Sequence, residues 1–124
     1  MIDELAEKLG EEKLRELCAA FYTRVKVDPI LSRMYSKDDM EGSEKRLADF
    51  LIMRFGGSAD YLETRGHPQL RMRHAPFVIG ELERDQWLIL MGASMREVGI
   101  PQEEGIVMAK FFAQVADFLR NSPH

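Results

Sequence analysis

The sequence of 124 residues has a single cysteine, Cys18, so no disulfide can form within it and cysteine-rich zinc motifs are excluded. Its three histidines, His67, His74 and His124, do not make the three- or four-ligand set of a zinc site built from protein side chains alone. Positive charge is not in excess: 17 lysines and arginines face 21 acids, a net charge of -4, which gives no electrostatic case for nucleic acid or an anionic membrane. Nowhere do about 20 apolar residues run together, so no membrane-spanning helix is expected. The opening Met1-Ile2-Asp3-Glu4-Leu5-Ala6-Glu7-Lys8 is too charged for a secretory signal, and a cytoplasmic location is expected. Strand-like sequence is confined to Phe77-Val78-Ile79, too short to make a sheet, and there is no internal repeat.

What is present is helical periodicity. With 45% hydrophobic residues the chain can build a core, and one all-α domain spanning 1–124 is expected. Residues 2 to 9 read as a short helix ended by Gly10. From about Glu11, Leu14, Leu17, Cys18, Phe21, Tyr22 and Val25 share one helical face, which turns Tyr22 inward and makes Cys18 a buried, inert thiol. Asp28-Pro29 reads as a cap followed by a proline at the first helical position, opening a turn that carries Ile30, Leu31, Met34 and Tyr35. A helix from about Met40 to Phe55 is stopped by Gly56-Gly57, with the small Ser43 one turn before Leu47 on its apolar face. Another runs from about Gly80 to Gly99 with Trp87, Leu88, Met91, Met95 and Val98 inward. Pro101 opens the last, whose wide stripe is Met108, Phe111, Phe112, Val115, Phe118 and Leu119.

Between Gly57 and Gly80 lies Arg65-Gly66-His67-Pro68-Gln69-Leu70-Arg71-Met72-Arg73-His74-Ala75-Pro76-Phe77. Pro68 can open a helix that Pro76 closes, which leaves about two turns with His74 near their end. An imidazole there is either satisfied by its own helix end or free to act as an axial metal ligand, one nitrogen pointing across a cavity while the other donates to a carbonyl. Arg65, Arg71 and Arg73 crowd the same stretch, as a solvated face or a seat for carboxylate or phosphate. Methionine and phenylalanine stripes suit a plain core or a large, flat, polarisable ligand equally.

Taken with the inward Tyr22, Tyr35 and Trp87, the chain resembles the truncated haemoglobins, group II. The resemblance runs from about Gly10 to Asn121. Its strongest pieces are Phe21-Tyr22-Thr23-Arg24-Val25, Phe55-Gly56-Gly57, the central stretch, and Glu83-Arg84-Asp85-Gln86-Trp87-Leu88. It implies a truncated globin fold around a non-covalent haem b with His74 as the proximal iron ligand. It also implies a distal pocket lined by Tyr22, Tyr35 and Trp87, with Ser43 and Leu47 on the intervening helix. By the same match, Arg46, Tyr61 and Arg73 hold the haem propionates, and Phe77 and Ile79 pack its edge. Three positions depart from the pattern: Ser58 replaces a common proline, Tyr35 a common phenylalanine, and Ser43 a distal histidine or glutamine. The last shifts ligand control onto Tyr22 and Trp87.

The function so implied is reversible binding of dioxygen, carbon monoxide or nitric oxide at a haem iron that can be pentacoordinate. Several donors should hold oxygen tightly, which disfavours simple transport and favours redox chemistry such as nitric oxide dioxygenation or peroxide turnover, with an unidentified reductant. A monomer or homodimer is expected. The competing reading is a helical sensor or interaction domain without a working haem site. A cofactor-free hydrolase ranks last for want of a nucleophile with a plausible base.

Overall fold

A computed structural model describes residues 2–58 and 79–120. Among these every regular element is a helix or a 3-10 turn. A single 3-10 turn, Ile2–Glu4, runs into the short helix α1 (Leu5–Leu9), which ends where Gly10 takes φ of 90°. Helix α2 is Glu11–Val27, α3 is Met40–Arg54, α4 is Glu81–Glu97 and α5 is Gln102–Leu119. Between α2 and α3 the chain makes two more 3-10 turns, Ser32–Met34 and Lys37–Asp39.

The ends of these helices follow from the sequence. Glu83 reaches back to accept the Gly80 N–H at 2.7 Å, which satisfies one of the orphan donors at the start of α4. Helices α3 and α4 close alike. Gly56 and Gly99 take left-handed φ, and the next residue donates to the carbonyl five positions back: Gly57 to Ile52 at 2.8 Å and Ile100 to Met95 at 3.0 Å.

Helix α2 is the hub, packed against α3 on one side and α4 on the other, while α5 lies on α4. Leu14, Leu17, Cys18, Phe21 and Val25 are completely buried, as their spacing predicts, and meet Leu51, Ile52 and Phe55 of α3 and its end, Met91 of α4 and Met108 of α5. Burial pushes the Cys18 thiol up to about 12, with Glu44 adding to the effect, so it stays protonated and unreactive. The stripe on α5 is narrower than its sequence suggests. Met108, Phe111 and Phe112 are buried, but Phe118 is 54% exposed because it sits at the stripe's edge in the final turn. No helix among the described residues is long and apolar enough to cross a membrane.

Candidate functional site

The helices leave a cavity of about 550 Å³ among α2, α3, α4, α5 and the turns after α2. Its wall is mostly apolar, from Leu31 and Met34 to Leu47 and Phe50 of α3 and to Phe112 and Val115 of α5. Into this apolar space project three aromatic side chains with polar tips, Tyr22, Tyr35 and Trp87.

Each arrives by a different route. Tyr22 is on the buried face of α2 and is 4% exposed. Tyr35 follows the Ser32–Met34 turn in extended backbone. That turn is set by Asp28, whose Oδ2 accepts the backbone N–H groups of Ile30 at 3.0 Å and Leu31 at 2.8 Å, as the cap reading of Asp28-Pro29 predicts. Trp87 comes from α4, wedged between Phe21 at 5.0 Å and Phe112 at 5.4 Å, centroid to centroid. Tyr22 and Tyr35 stand edge to face, 5.4 Å apart at 82°.

Hydrogen bonding joins the three tips. Tyr22 and Trp87 are both side-chain hydrogen-bond partners of Tyr35. Burial is the main cause that raises the pKa of both tyrosines above the ordinary 10.0, and for Tyr35 the hydrogen bonds with Trp87 and Tyr22 partly oppose it. Both hydroxyls are therefore neutral donors. The indole can only donate, whereas each phenol can donate or accept, so with Trp87 donating to Tyr35 the triad keeps a phenol proton to offer the cavity.

The polar remainder of the wall is Ser36, Ser43 and the charged Asp39, Arg46 and Arg84. Arg46 Nη2 donates to Asp39 Oδ2 at 2.9 Å and to Ser43 Oγ at 3.0 Å. Arg84, also at the cavity, is shared between Asp85 and Asp117, each at 3.0 Å. A guanidinium carries five N–H donors, and Arg46 uses two of them in these bonds.

Of the side chains singled out from sequence, the cavity brings together Tyr22, Tyr35, Ser43, Arg46, Leu47, Ile79 and Trp87. Tyr61, Arg73, His74 and Phe77 lie outside the described residues. Three participants were not anticipated. Arg84 precedes Trp87 by three positions, a spacing that puts both on one helical face and could have revealed it. Asp39 and the Asp28–Gln86 hydrogen bond, 2.6 Å long, join residues that no local pattern relates.

Residues 4–121 match the family model of bacterial-like globins. The chain is 40% identical to the group 2 truncated haemoglobin YjbI of Bacillus subtilis over 97 residues, which cover 78% of this chain and 73% of that protein. The chain belongs to the group II truncated haemoglobins. Its fold is similar to that of a haemoglobin from the thermophilic phototroph Chloroflexus aurantiacus. The TM-score is 0.90 at 42% identity, over 94% of this chain and 97% of that one. It is likewise similar to the truncated oxygen-avid haemoglobin of Bacillus subtilis, with a TM-score of 0.88 at 34% identity, over 94% and 98% of the two chains.

As a truncated haemoglobin the chain is a globin-type haem protein that binds oxygen, and haem b is its cofactor. The cavity fits that group. Its volume falls within the roughly 300–1,000 Å³ typical of ligand pockets, its broad walls are aliphatic and aromatic, and the arginines Arg46 and Arg84 offer guanidinium to carboxylate.

Proposed function

We propose that this truncated haemoglobin grips dioxygen through the Tyr22–Tyr35–Trp87 triad and serves redox chemistry, nitric oxide dioxygenation or peroxide turnover, instead of oxygen delivery. The observation that carries this reading is the convergence of the Tyr22, Tyr35 and Trp87 tips within a mostly apolar wall. Haem, when bound, supplies an iron with one coordination position for dioxygen, carbon monoxide or nitric oxide.

His74 is the proposed protein ligand to that iron, from the stretch between the described segments. Tyr22, Tyr35 and Trp87 then face the guest. A hydroxyl that accepts a hydrogen bond has its own O–H polarised, and Tyr35, which takes the indole donor, is proposed as the strongest donor of the three. This shifts the leading role from Tyr22 and Trp87, where the sequence put it, to Tyr35. Arg46, with Tyr61 and Arg73, is proposed to hold the propionates, and for Arg46 this means turning free donors, or those now on Asp39, toward a second carboxylate. Ile79 and Phe77 close the edge. Slow release suits an enzyme better than a carrier, and the oxygen avidity of the Bacillus subtilis relative points the same way. Redox use further requires a partner that supplies electrons.

Stopped-flow oxygen release tests the reading. A hydrogen bond to a charged group is worth roughly 1.5 to 3 kcal/mol, so Tyr35→Phe should speed release by about one to two orders of magnitude. Tyr22→Phe and Trp87→Phe should act less, through Tyr35, and carbon monoxide, with less charge separation, should respond least. Release from Tyr35→Phe within about twofold of wild type, well short of that hydrogen-bond estimate, would remove the proposed role.

A further inference from the structure

We propose that Asp28 and Gln86 form a positioning clamp, in which the Gln86 amide held by the Asp28 carboxylate sets the Trp87 indole against the Tyr35 hydroxyl. Asp28 is 8% exposed, and both of its oxygens are used. Oδ2 accepts the N–H groups of Ile30 and Leu31, and the Asp28 carbonyl accepts that of Ser32 at 3.0 Å, which fixes the turn leading to Tyr35. Oδ1 accepts Gln86 Nε2 at 2.6 Å, and Gln86 directly precedes Trp87 on α4. One carboxylate thus grips the two segments that must be in register for indole and phenol to meet.

A second polar tie between those segments is Arg33 to Glu83, at 3.5 Å with the arginine 63% exposed. The contact is long and its cation lies in solvent, so it contributes little and weakens with salt. Hydrogen bonds fail steeply once the donor angle falls below about 120°, so the indole depends on how α4 is rotated, and the clamp controls that rotation. Neither Asp28 nor Gln86 lines the cavity, so they act through Trp87 and Tyr35.

Trp87 is the sole tryptophan, so the ultraviolet resonance Raman band sensitive to indole N–H bonding reports on it alone, with or without haem. Gln86→Glu sets a second carboxylate against Asp28 and should shift that band toward a weaker bond, while oxygen release, which rests on the triad reading, should speed by roughly tenfold. The double variant Asp28→Asn with Gln86→Glu should restore both, because the new amide donates to the new carboxylate while its carbonyl still caps the turn. An unshifted band in Gln86→Glu overturns the clamp, and so does a double variant that folds yet recovers neither signal. If Gln86→Glu does not fold, Gln86→Leu removes the donor without adding charge and must shift the band, and a wild-type band there overturns the clamp equally. A band that moves while release stays constant supports the clamp and counts against the triad as the seat of oxygen retention.

Discussion

At Asp49 a carboxylate that is 4% exposed is held between two helices by Arg15 of α2 at 2.9 Å and Lys45 of α3 at 2.6 Å. Burial alone would raise its pKa, but the two cationic donors outweigh it and hold the group below its ordinary 3.8. A folded-state pKa depressed in this way contributes stability that is complete above the unfolded value and disappears as pH falls from about 3.8 through the folded value. Thermal melts should therefore show a loss across that acid range that Asp49→Asn lacks. At neutral pH the variant should be less stable by about 1.5 to 3 kcal/mol, the usual worth of a charged hydrogen bond. Parallel acid profiles for the two proteins would assign the acid loss to other carboxylates. Tyr22 and Tyr35 stand in contrast: burial raises both, no cation reverses it, and they remain neutral donors across the working pH range.

Among the elements, the corner after α3 is the most constrained by backbone geometry. Gly56 has φ of 90°, and a Cβ there would lie 1.8 Å from the Asp3 carbonyl oxygen, while Ala6 N–H donates to the Phe55 carbonyl at 3.0 Å. The N-terminal segment Ile2–Leu9 is docked on that corner, with Leu5 fully buried. Gly56→Ala should cost at least about 1 to 2 kcal/mol from the left-handed backbone alone. Because the clash is with backbone, the variant should also release Ile2–Leu9 to limited proteolysis, and an unchanged melting temperature and digestion pattern would show that the corner yields freely. This corner was legible, since Gly56-Gly57 after an apolar helix is a stop signal. So was the inward face of α2, whose spacing alone aims Tyr22 at the cavity. The partner of Gln86 was not, because Asp28 is 58 positions away and a local pattern carries no information about such a pairing. The exposure of Phe118 was hidden for a related reason: periodicity gives the face of a helix, but where that face stops being covered depends on its neighbours.

For the whole molecule, the arrangement of α2, α3, α4 and α5 yields an apolar chamber with a donor triad and two arginines on its walls. This chamber is the proposed seat of haem, its occupant held by shape as well as by the proposed ligand His74. Ala116 lines it on α5, whereas Ala113 on the same helix faces solvent. A tryptophan at the first site fills the chamber, and at the second it alters only the surface. The haem content of the purified, reconstituted protein, read from its absorption spectrum after reduction under carbon monoxide, decides the matter directly. Wild type and Ala113→Trp should each carry haem, while Ala116→Trp should keep its helical circular dichroism and lose most of it. An Ala116→Trp protein with full haem content and a wild-type spectrum would place the haem elsewhere.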